Sequence, residues 1–251
     1  MKKIALGVLF MLGAWTTNAQ KMTAEQIIEK YVETVGGSEA WANLKGQKLL
    51  ATAAVQGMEF PIEMYELKDG RQITKFEIQG REMVQGAFDG ETLWSISFMT
   101  MKAEKEESEA TENFKRSIGE FPGALFTYKS MGYTVELDGE DVKEGVECYK
   151  IKMTKKTELV DGEEKPNVQY HYIDKENFIT VTMEEMITSG SAKGQMATTI
   201  FSDYQEVEGM YFPFSIKQGA GMNAFELTVN KFELNPEVDD SIFAFPAEEG
   251  K

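Results

Sequence analysis

One histidine, one cysteine and 42 acidic residues bound the chemistry open to this 251-residue chain. His171 alternates with Tyr170 and Tyr172 on a strand-like run, so a histidine metal site or a Ser-His-Asp triad would have to be built around it alone. Cys148 and His171 have the chemistry of a nucleophile and its base, provided that their strands are neighbours. The plainer reading of Cys148 is a small, partly buried strand residue, because a reactive thiol needs a basic, accessible setting and only Lys150 and Lys152 share its strand face. Among 42 acidic residues a glycosidase-type pair can be drawn almost anywhere, and a choice that free carries no information. Gly219-Ala220-Gly221 lacks the Lys-Ser/Thr of a phosphate loop and reads as a turn. Asp138-Gly139-Glu140-Asp141 reads as a solvated hairpin rather than a calcium loop. The expectation is therefore no catalytic set, no metal, no cofactor and no enzyme.

The elements that carry these residues begin with an address. Lys2 and Lys3 precede an apolar run from Ile4 to Trp15 and then Thr16, Thr17, Asn18 and Ala19, the layout of a secretory signal peptide cleaved after residue 19. That run is shorter than the ~20 residues needed to span a bilayer, and no later stretch comes closer without a charge. No cysteine stands directly after the cleavage point to carry a lipid anchor, so residues 20–251 are expected as one soluble, exported domain without stable membrane insertion. A single cysteine offers no internal disulfide, so stability must come from a large core. The net charge of −16 argues against nucleic acid as a partner, since phosphate binding rests on clustered Lys and Arg.

Thr23 and Gln26 form a capping-box pattern ahead of Ile27, Ile28, Tyr31, Val32 and Val35 at helical spacing, and Gly36-Gly37 ends that helix. Ser38 opens a shorter helix with Trp41 and Leu44 that stops at Gly46. The period then changes to two. Met58, Phe60, Ile62 and Met64 alternate with polar positions, as do Trp94, Ile96 and Phe98; Tyr149, Ile151 and Met153; Ile179, Val181 and Met183; Met210, Phe212, Phe214 and Ile216; and Phe225, Leu227 and Val229. Turn signals such as Asp69-Gly70, Gln79-Gly80, Asp89-Gly90, Asp161-Gly162 and Glu208-Gly209 separate the runs. The pattern predicts an α+β, mainly antiparallel fold of about ten or eleven strands with helices at its start. Residues 102–132 read as a solvated acidic loop leading into one short helix, ended by Gly119 and Pro122. The apolar rows outnumber what two helices can cover, so the sheet must either curl until it fills itself or enclose a pocket completed by an apolar ligand. Thirteen of the 15 methionines lie beyond the leader, and such side chains suit either ordinary core filling or a surface that repacks around variable partners.

Several landmarks, taken in order, resemble the LolA-like outer membrane lipoprotein-sorting proteins. They are Gly36-Gly37 followed by Trp41, Asp89-Gly90 leading to Trp94, the FTYKSMGY run from Phe126 to Tyr133, Glu144 to Lys150, Tyr172-Ile173-Asp174, Glu208-Gly209 before Phe212-Pro213, and Asn235-Pro236 with Phe243 and Pro246. Some have plain structural readings as well, with Pro213 on an edge strand and Asn235-Pro236 as a turn. The resemblance implies an unclosed, strongly curved antiparallel barrel whose concave face is covered by short helices. It further implies a periplasmic carrier that shields acyl chains of lipoproteins or another lipid between an inner-membrane release complex and an outer-membrane acceptor. On that basis Met58, Phe60, Ile62, Met64, Trp94, Ile96, Phe98, Tyr149, Ile151, Met153, Phe212, Phe214 and Ile216 are expected to line a lipid-binding cavity, with Ile27, Ile28, Tyr31 and Trp41 on its lid. The resemblance also points to Arg71, beside Lys68, as a lid anchor, although KDGR reads equally as a hairpin turn with solvent-facing cations. An acyl chain of roughly fifteen methylenes costs on the order of 12 kcal/mol to leave in water, so such a carrier must bury it firmly and still release it. The alternative is a sensing module on the same fold, which detects a misplaced lipid or lipoprotein and signals to a membrane partner.

Overall fold

The computed structural model describes residues 21–246 apart from 56, 191, 221 and 222. The expected signal peptide, and Gly221 of the Gly219-Ala220-Gly221 turn, lie outside the described residues.

Helix α1 (Ala24–Thr34) starts as its sequence requires. Thr23 Oγ1 accepts from Gln26 N at 3.3 Å, and Gln26 Oε1 accepts from Thr23 N at 2.9 Å. Its apolar stripe buries Ile27 and Ile28 completely against the sheet. The chain then turns through Gly36 and Gly37, both at positive φ. A Cβ on Gly36 would sit 2.8 Å from Gly209 O, so only glycine allows this approach, and Tyr211 N donates to Val35 O at 3.0 Å to fasten the helix end to the sheet. Helix α2 (Ser38–Asn43) has no side-chain cap and buries only Trp41.

Among the described residues fifteen strands follow: β1 (Gly46–Val55), β2 (Met58–Leu67), β3 (Gln72–Ile78), β4 (Arg81–Phe88), β5 (Leu93–Ile96), β6 (Ala103–Lys105), β7 (Thr134–Lys143), β8 (Val146–Thr154), β9 (Glu158–Val160), β10 (Glu163–Lys165), β11 (Val168–Asp174), β12 (Thr180–Met186), β13 (Met196–Val207), β14 (Met210–Ala220) and β15 (Asn223–Leu234). Thirteen form one antiparallel sheet in the order β6-β5-β4-β3-β2-β1-β15-β14-β13-β12-β11-β8-β7; β9 and β10 make a separate hairpin. The outer strands β6 and β7 do not pair with each other, so the curved sheet stays unclosed. The strand count exceeds the ten or eleven expected because three-residue strands such as β6, β9 and β10 are too short to show an alternation. Pro213 is not on an edge strand, since β14 lies between β13 and β15; it pairs with Tyr204 of β13, and the β14-β15 ladder begins only at Ser215, so the proline falls where its strand has no paired β15 neighbour.

The segment 102–132 is more ordered than its acidity suggests. It forms β6, α3 (Ser108–Ser117) and α4 (Ala124–Met131), with Gly119 and Pro122 between the two helices. The carboxylates and amides of α3 face a receptor: Glu109 accepts from Asp161 N and Gly162 N, Asn113 exchanges two hydrogen bonds with Leu159, and Arg116 pairs with Glu164 at 2.7 Å. The acidic helix therefore clasps the β9-β10 hairpin. The cluster from Asp138 to Asp141 is likewise not a hairpin; it lies at an irregularity within β7, where Asp138 meets Lys150 and Glu140 meets Lys175, each at 2.7 Å.

The sheet is covered on both faces. Helices α1, α2 and α4 lie on one; the 3₁₀ helix Asp240–Phe243 covers part of the other, packing on Ile73, Val84, Ala87 and Trp94. Trp94 Nε1 donates to Phe243 O at 2.9 Å, and Arg71 bonds Asp69 at 2.9 Å and Asp240 at 2.5 Å, with its guanidinium 5.5 Å from the Phe243 ring. Arg71 thus engages the C-terminal segment rather than α1 or α2. Trp94 and Ile96 belong to this face and not to the helix side. An extra residue in β4 at Gly86, whose φ is +62°, separates the Thr74–Gln85 pair from the Gln72–Phe88 pair and reverses which residues of β4 and β5 face the helices. Because Phe243 is fully buried at this junction, Phe243→Ala should lower the unfolding free energy by about 3–5 kcal/mol in urea titrations, and a change below about 1 kcal/mol would show that the C-terminal turn is not part of the core.

Candidate functional site

The antiparallel register sorts the side chains of the helix face. Leu49, Ala51 and Ala53 of β1 lie opposite Met64, Ile62 and Phe60 of β2, and Leu227 of β15 lies beside Ile216 of β14. Toward the other edge the same face carries Met183, His171 and Ile151 on three successive strands. Between this surface and the helices is a cavity of about 570 Å³, within the range typical of small-molecule sites.

Its roof is aromatic and comes from three separate helices. Tyr31 of α1, Trp41 of α2 and Phe126 of α4 meet there, with Trp41 stacked on Phe126 at 4.5 Å and Tyr31 at 5.5 Å from the same ring. Trp41 also meets Phe212 at 4.9 Å, and Phe212 lies 4.4 Å from Phe232. The Trp41 indole nitrogen donates to Val35 O at 3.0 Å, which fixes the ring's orientation. Leu49, Met64, Ile216 and Leu227 supply an aliphatic floor. Such a lining can shelter an apolar chain, and separate short helices can shift without breaking the sheet.

The remaining expected cavity residues divide by position. Met64, Phe212 and Ile216 line the cavity, and Phe214 packs behind it on Phe232 at 5.5 Å. Phe60 and Ile62 are half-buried on the same face, against the β1 and β15 cluster. Ile151 and Met153 are completely buried in the cluster that holds α1 and α4, with Tyr149 at its margin. Met58, the first residue of β2 beside the β1-β2 connection, and Phe98, on the β5-β6 connection, stand at 64% and 62% exposure. These two connections and that of β12-β13 emerge at one end of the sheet, where Met99, Met101, Met186 and Met196 are also exposed. A second hollow of about 600 Å³ opens toward this end, lined in part by Gln85, Glu158, Glu185, Gln218 and Phe225. Of the lid residues, Tyr31 and Trp41 reach the cavity while Ile27 and Ile28 anchor α1 beside it.

Polar groups interrupt the apolar wall, and the sequence reading missed them. Gln47 Nε2 donates to Glu66 Oε2 at 2.9 Å, and burial pushes the Glu66 carboxyl up. Glu120 accepts from Tyr133 Oη at 2.7 Å and pairs with Lys155 at 2.8 Å. Burial raises the Tyr31 phenol to about 12 and that of Tyr204 well above its usual value, so both remain neutral. Gln169, His171 and Thr180 are buried on the wall. Cys148, on the strand next to that of His171, faces the other side of the sheet with Tyr172 and Val181, and burial raises its thiol. The strands are neighbours, but the nucleophile and base are not brought together. Among the described residues no three His, Cys, Asp or Glu side chains are grouped to hold a metal, and no helix is long and apolar enough to cross a membrane.

No protein-family model and no curated protein matches the chain by sequence. Solved structures do match in three dimensions. A LolA superfamily protein from Nitrosomonas europaea aligns over 89% of this chain and 98% of its own, with a TM-score of 0.53 and 14% identity. A domain from Vibrio parahaemolyticus, named for outer membrane lipoprotein sorting, aligns over 87% and 95%, with a TM-score of 0.53 and 10% identity. The fold is LolA-like. A DUF1329 family protein from Desulfovibrio piger aligns equally well, with a TM-score of 0.53, 13% identity and coverage of 87% and 95%. At these identities the likeness concerns the LolA-like scaffold, an unclosed curved sheet with short helices, and the cavity must be read from this chain's own residues.

The cavity wall has a titration signature. Burial holds the His171 imidazole down at about 4, against an ordinary 6.5, with the charge of Lys155 acting in the same direction. The unfolded chain takes up this proton near pH 6.5 and the folded chain only near pH 4, so stability is intact above 6.5 and is lost as pH falls between those values. His171→Leu should remove a loss on the order of 3 kcal/mol from that window. Urea titrations of both proteins from neutral pH to pH 4 measure the difference, and parallel pH profiles would mean that His171 is solvated in the folded protein.

Proposed function

We propose that the protein is a soluble periplasmic carrier that holds acyl chains of lipoproteins, or of other lipids, in its cavity during transfer to the outer membrane. The observation that carries this reading is the aromatic roof, in which Tyr31, Trp41 and Phe126 from three different helices close over Leu49, Met64, Ile216 and Leu227. An acyl chain placed there exchanges contact with water for contact with apolar side chains, at about 0.8 kcal/mol per methylene.

Release asks that part of the cover be lightly held. Helix α1 is firmly docked through its capping box, Ile27, Ile28 and the link from Tyr211 N to Val35 O. Helix α2 has six residues, no side-chain N-cap and one buried side chain, Trp41, with a side-chain tether at its other end, from Lys68 Nζ to Ala42 O at 2.7 Å, so it is the natural moving part. In this reading residues 1–19 direct export, an inner-membrane release complex loads the cavity, and an outer-membrane acceptor empties it. The exposed methionines at one end of the sheet supply adaptable apolar contacts for such exchanges. Binding and handing over a lipid require no catalysis.

Occupying the cavity with a larger side chain tests the reading without burying a charge. Ile216→Trp should weaken binding of a fluorescent acyl probe by about tenfold or more by taking space the chain needs. Lys217→Glu, on the opposite face of the same strand, should leave binding within about twofold. Equal effects of the two substitutions, in proteins of unchanged circular dichroism, would remove the cavity from the binding site.

A further inference from the structure

The wall beneath α1 holds buried polar atoms without a hydrogen-bond partner, one of them, on Thr180, beside the Tyr31 hydroxyl. Gln169 Oε1, His171 Nε2 and Thr180 Oγ1 are buried without a hydrogen-bond partner, and all three residues line the same cavity. Gln169 and His171 are 8% and 5% exposed and lie two residues apart on one face of β11. Thr180 begins the neighbouring strand β12.

The orientation of Gln169 follows from its neighbour. Its Nε2 donates to Glu185 Oε2 at 2.7 Å, and because a carboxylate only accepts, the amide nitrogen must face it and the carbonyl oxygen is directed elsewhere. His171 stays neutral near pH 7 because burial lowers its pKa to about 4, so its ring offers one donor and one acceptor. Ile151 and Met183 flank His171 on adjacent strands, showing that apolar side chains fit this part of the wall. Buried polar atoms without partners destabilise a fold, so a group of them on one cavity wall points to a ligand that supplies the partners. A fourth such atom, Thr182 Oγ1, lies on the other face of β12 and belongs to no cavity described above.

The electrostatics narrow the chemistry. The side chains lining the cavity include Glu66 and Glu120 but no Lys or Arg, which disfavours a phosphate or free carboxylate. Glu120 already pairs with Lys155, and Glu66 accepts from Gln47 Nε2, so each carboxylate has a partner within the protein and neither calls for a cationic group. A hydroxyl, which both donates and accepts, matches an amide oxygen, a neutral imidazole and a threonine hydroxyl.

We propose that the cavity binds an uncharged lipid through a hydroxyl that docks against Gln169, His171 and Thr180, with its acyl chain beneath Tyr31, Trp41 and Phe126. This inference rests on the carrier reading and names the class of its cargo. The two are separated by letting 1-monopalmitoylglycerol and methyl palmitate, which share a chain and an ester but differ in hydroxyls, compete for a fluorescent uncharged acyl probe.

The wild-type protein should prefer monopalmitoylglycerol by about tenfold, the ratio expected of one or two net hydrogen bonds. In the Gln169→Met/His171→Leu variant that preference should fall below about twofold through weaker monopalmitoylglycerol binding, with methyl palmitate unchanged. Thr180→Val, nearly isosteric, should lower it part of the way and serves as the reporter if the double variant does not fold. Equal binding of the two lipids by wild type, or an unchanged preference in the folded variants, would overturn the hydroxyl site and leave the carrier standing. Failure of both lipids to bind would overturn both readings.

Discussion

A sheet of thirteen strands that never closes has an inner face much larger than helices of 11, 6, 10 and 8 residues can cover. In a small closed barrel, side chains from opposite walls meet and fill the interior. Here β6 and β7 remain apart, and the helices must do what a far wall would do. They succeed completely over Ile151 and Met153, where α1 and α4 build a tight cluster, and only in part over Leu49, Met64 and Ile216, where short α2 contributes a single buried ring. The cavity is the difference between those two degrees of cover.

The polar wall adds a second constraint to the same space. In a core selected for stability alone, Gln169 and His171 would be poor neighbours for Ile151, Met153 and Met183, because their unanswered atoms oppose folding. The chain can carry that penalty because the rest of the sheet is well fastened. Its outer face is laced by pairs such as Lys48 with Glu63 and Lys143 with Glu184, at 2.7 and 2.6 Å, and Phe243 locks against Trp94 at one edge. Single surface pairs of this kind contribute modestly, whereas the buried aromatic junction contributes several kcal/mol by comparison with similar cores.

Much of this was legible in the residue pattern. Thr23 with Gln26, the Gly36-Gly37 stop and the alternating runs of β2, β8 and β14 act through local rules, so α1, α2 and the antiparallel class followed directly. The assignment of faces was less accessible. Alternation says that Trp94 and Ile96 share a side, but not which side, and the extra residue at Gly86 turned that side toward the C-terminal segment. Met58 and Phe98 continue their apolar rows beyond the covered part of the sheet and so end in solvent. Arg71 found, besides neighbouring Asp69, a partner in Asp240, far away in sequence. The site's polar members were hidden for a related reason: His171 has a tyrosine on each side in sequence, and only the pairing with Ile151 and Met183 shows that it points inward.

Compliance must therefore lie on one side. A sheet whose outer face carries ion pairs and the Phe243 junction resists bending, since every register shift would exchange buried for exposed side chains along whole strands. Helix α1 shares that stiffness, because the close approach of Gly36 to Gly209 and the hydrogen bond from Tyr211 to Val35 tie its end to β14. What remains free to adjust is the contact between Trp41 and Phe126, made by two short helices over an aliphatic floor. A stacked pair of rings is held mainly by the apolar area it buries, and an acyl chain sliding beneath offers each ring the same kind of surface. Opening and filling can thus proceed with little net loss of apolar burial, which is the condition for a cavity that must hold a lipid and later give it up.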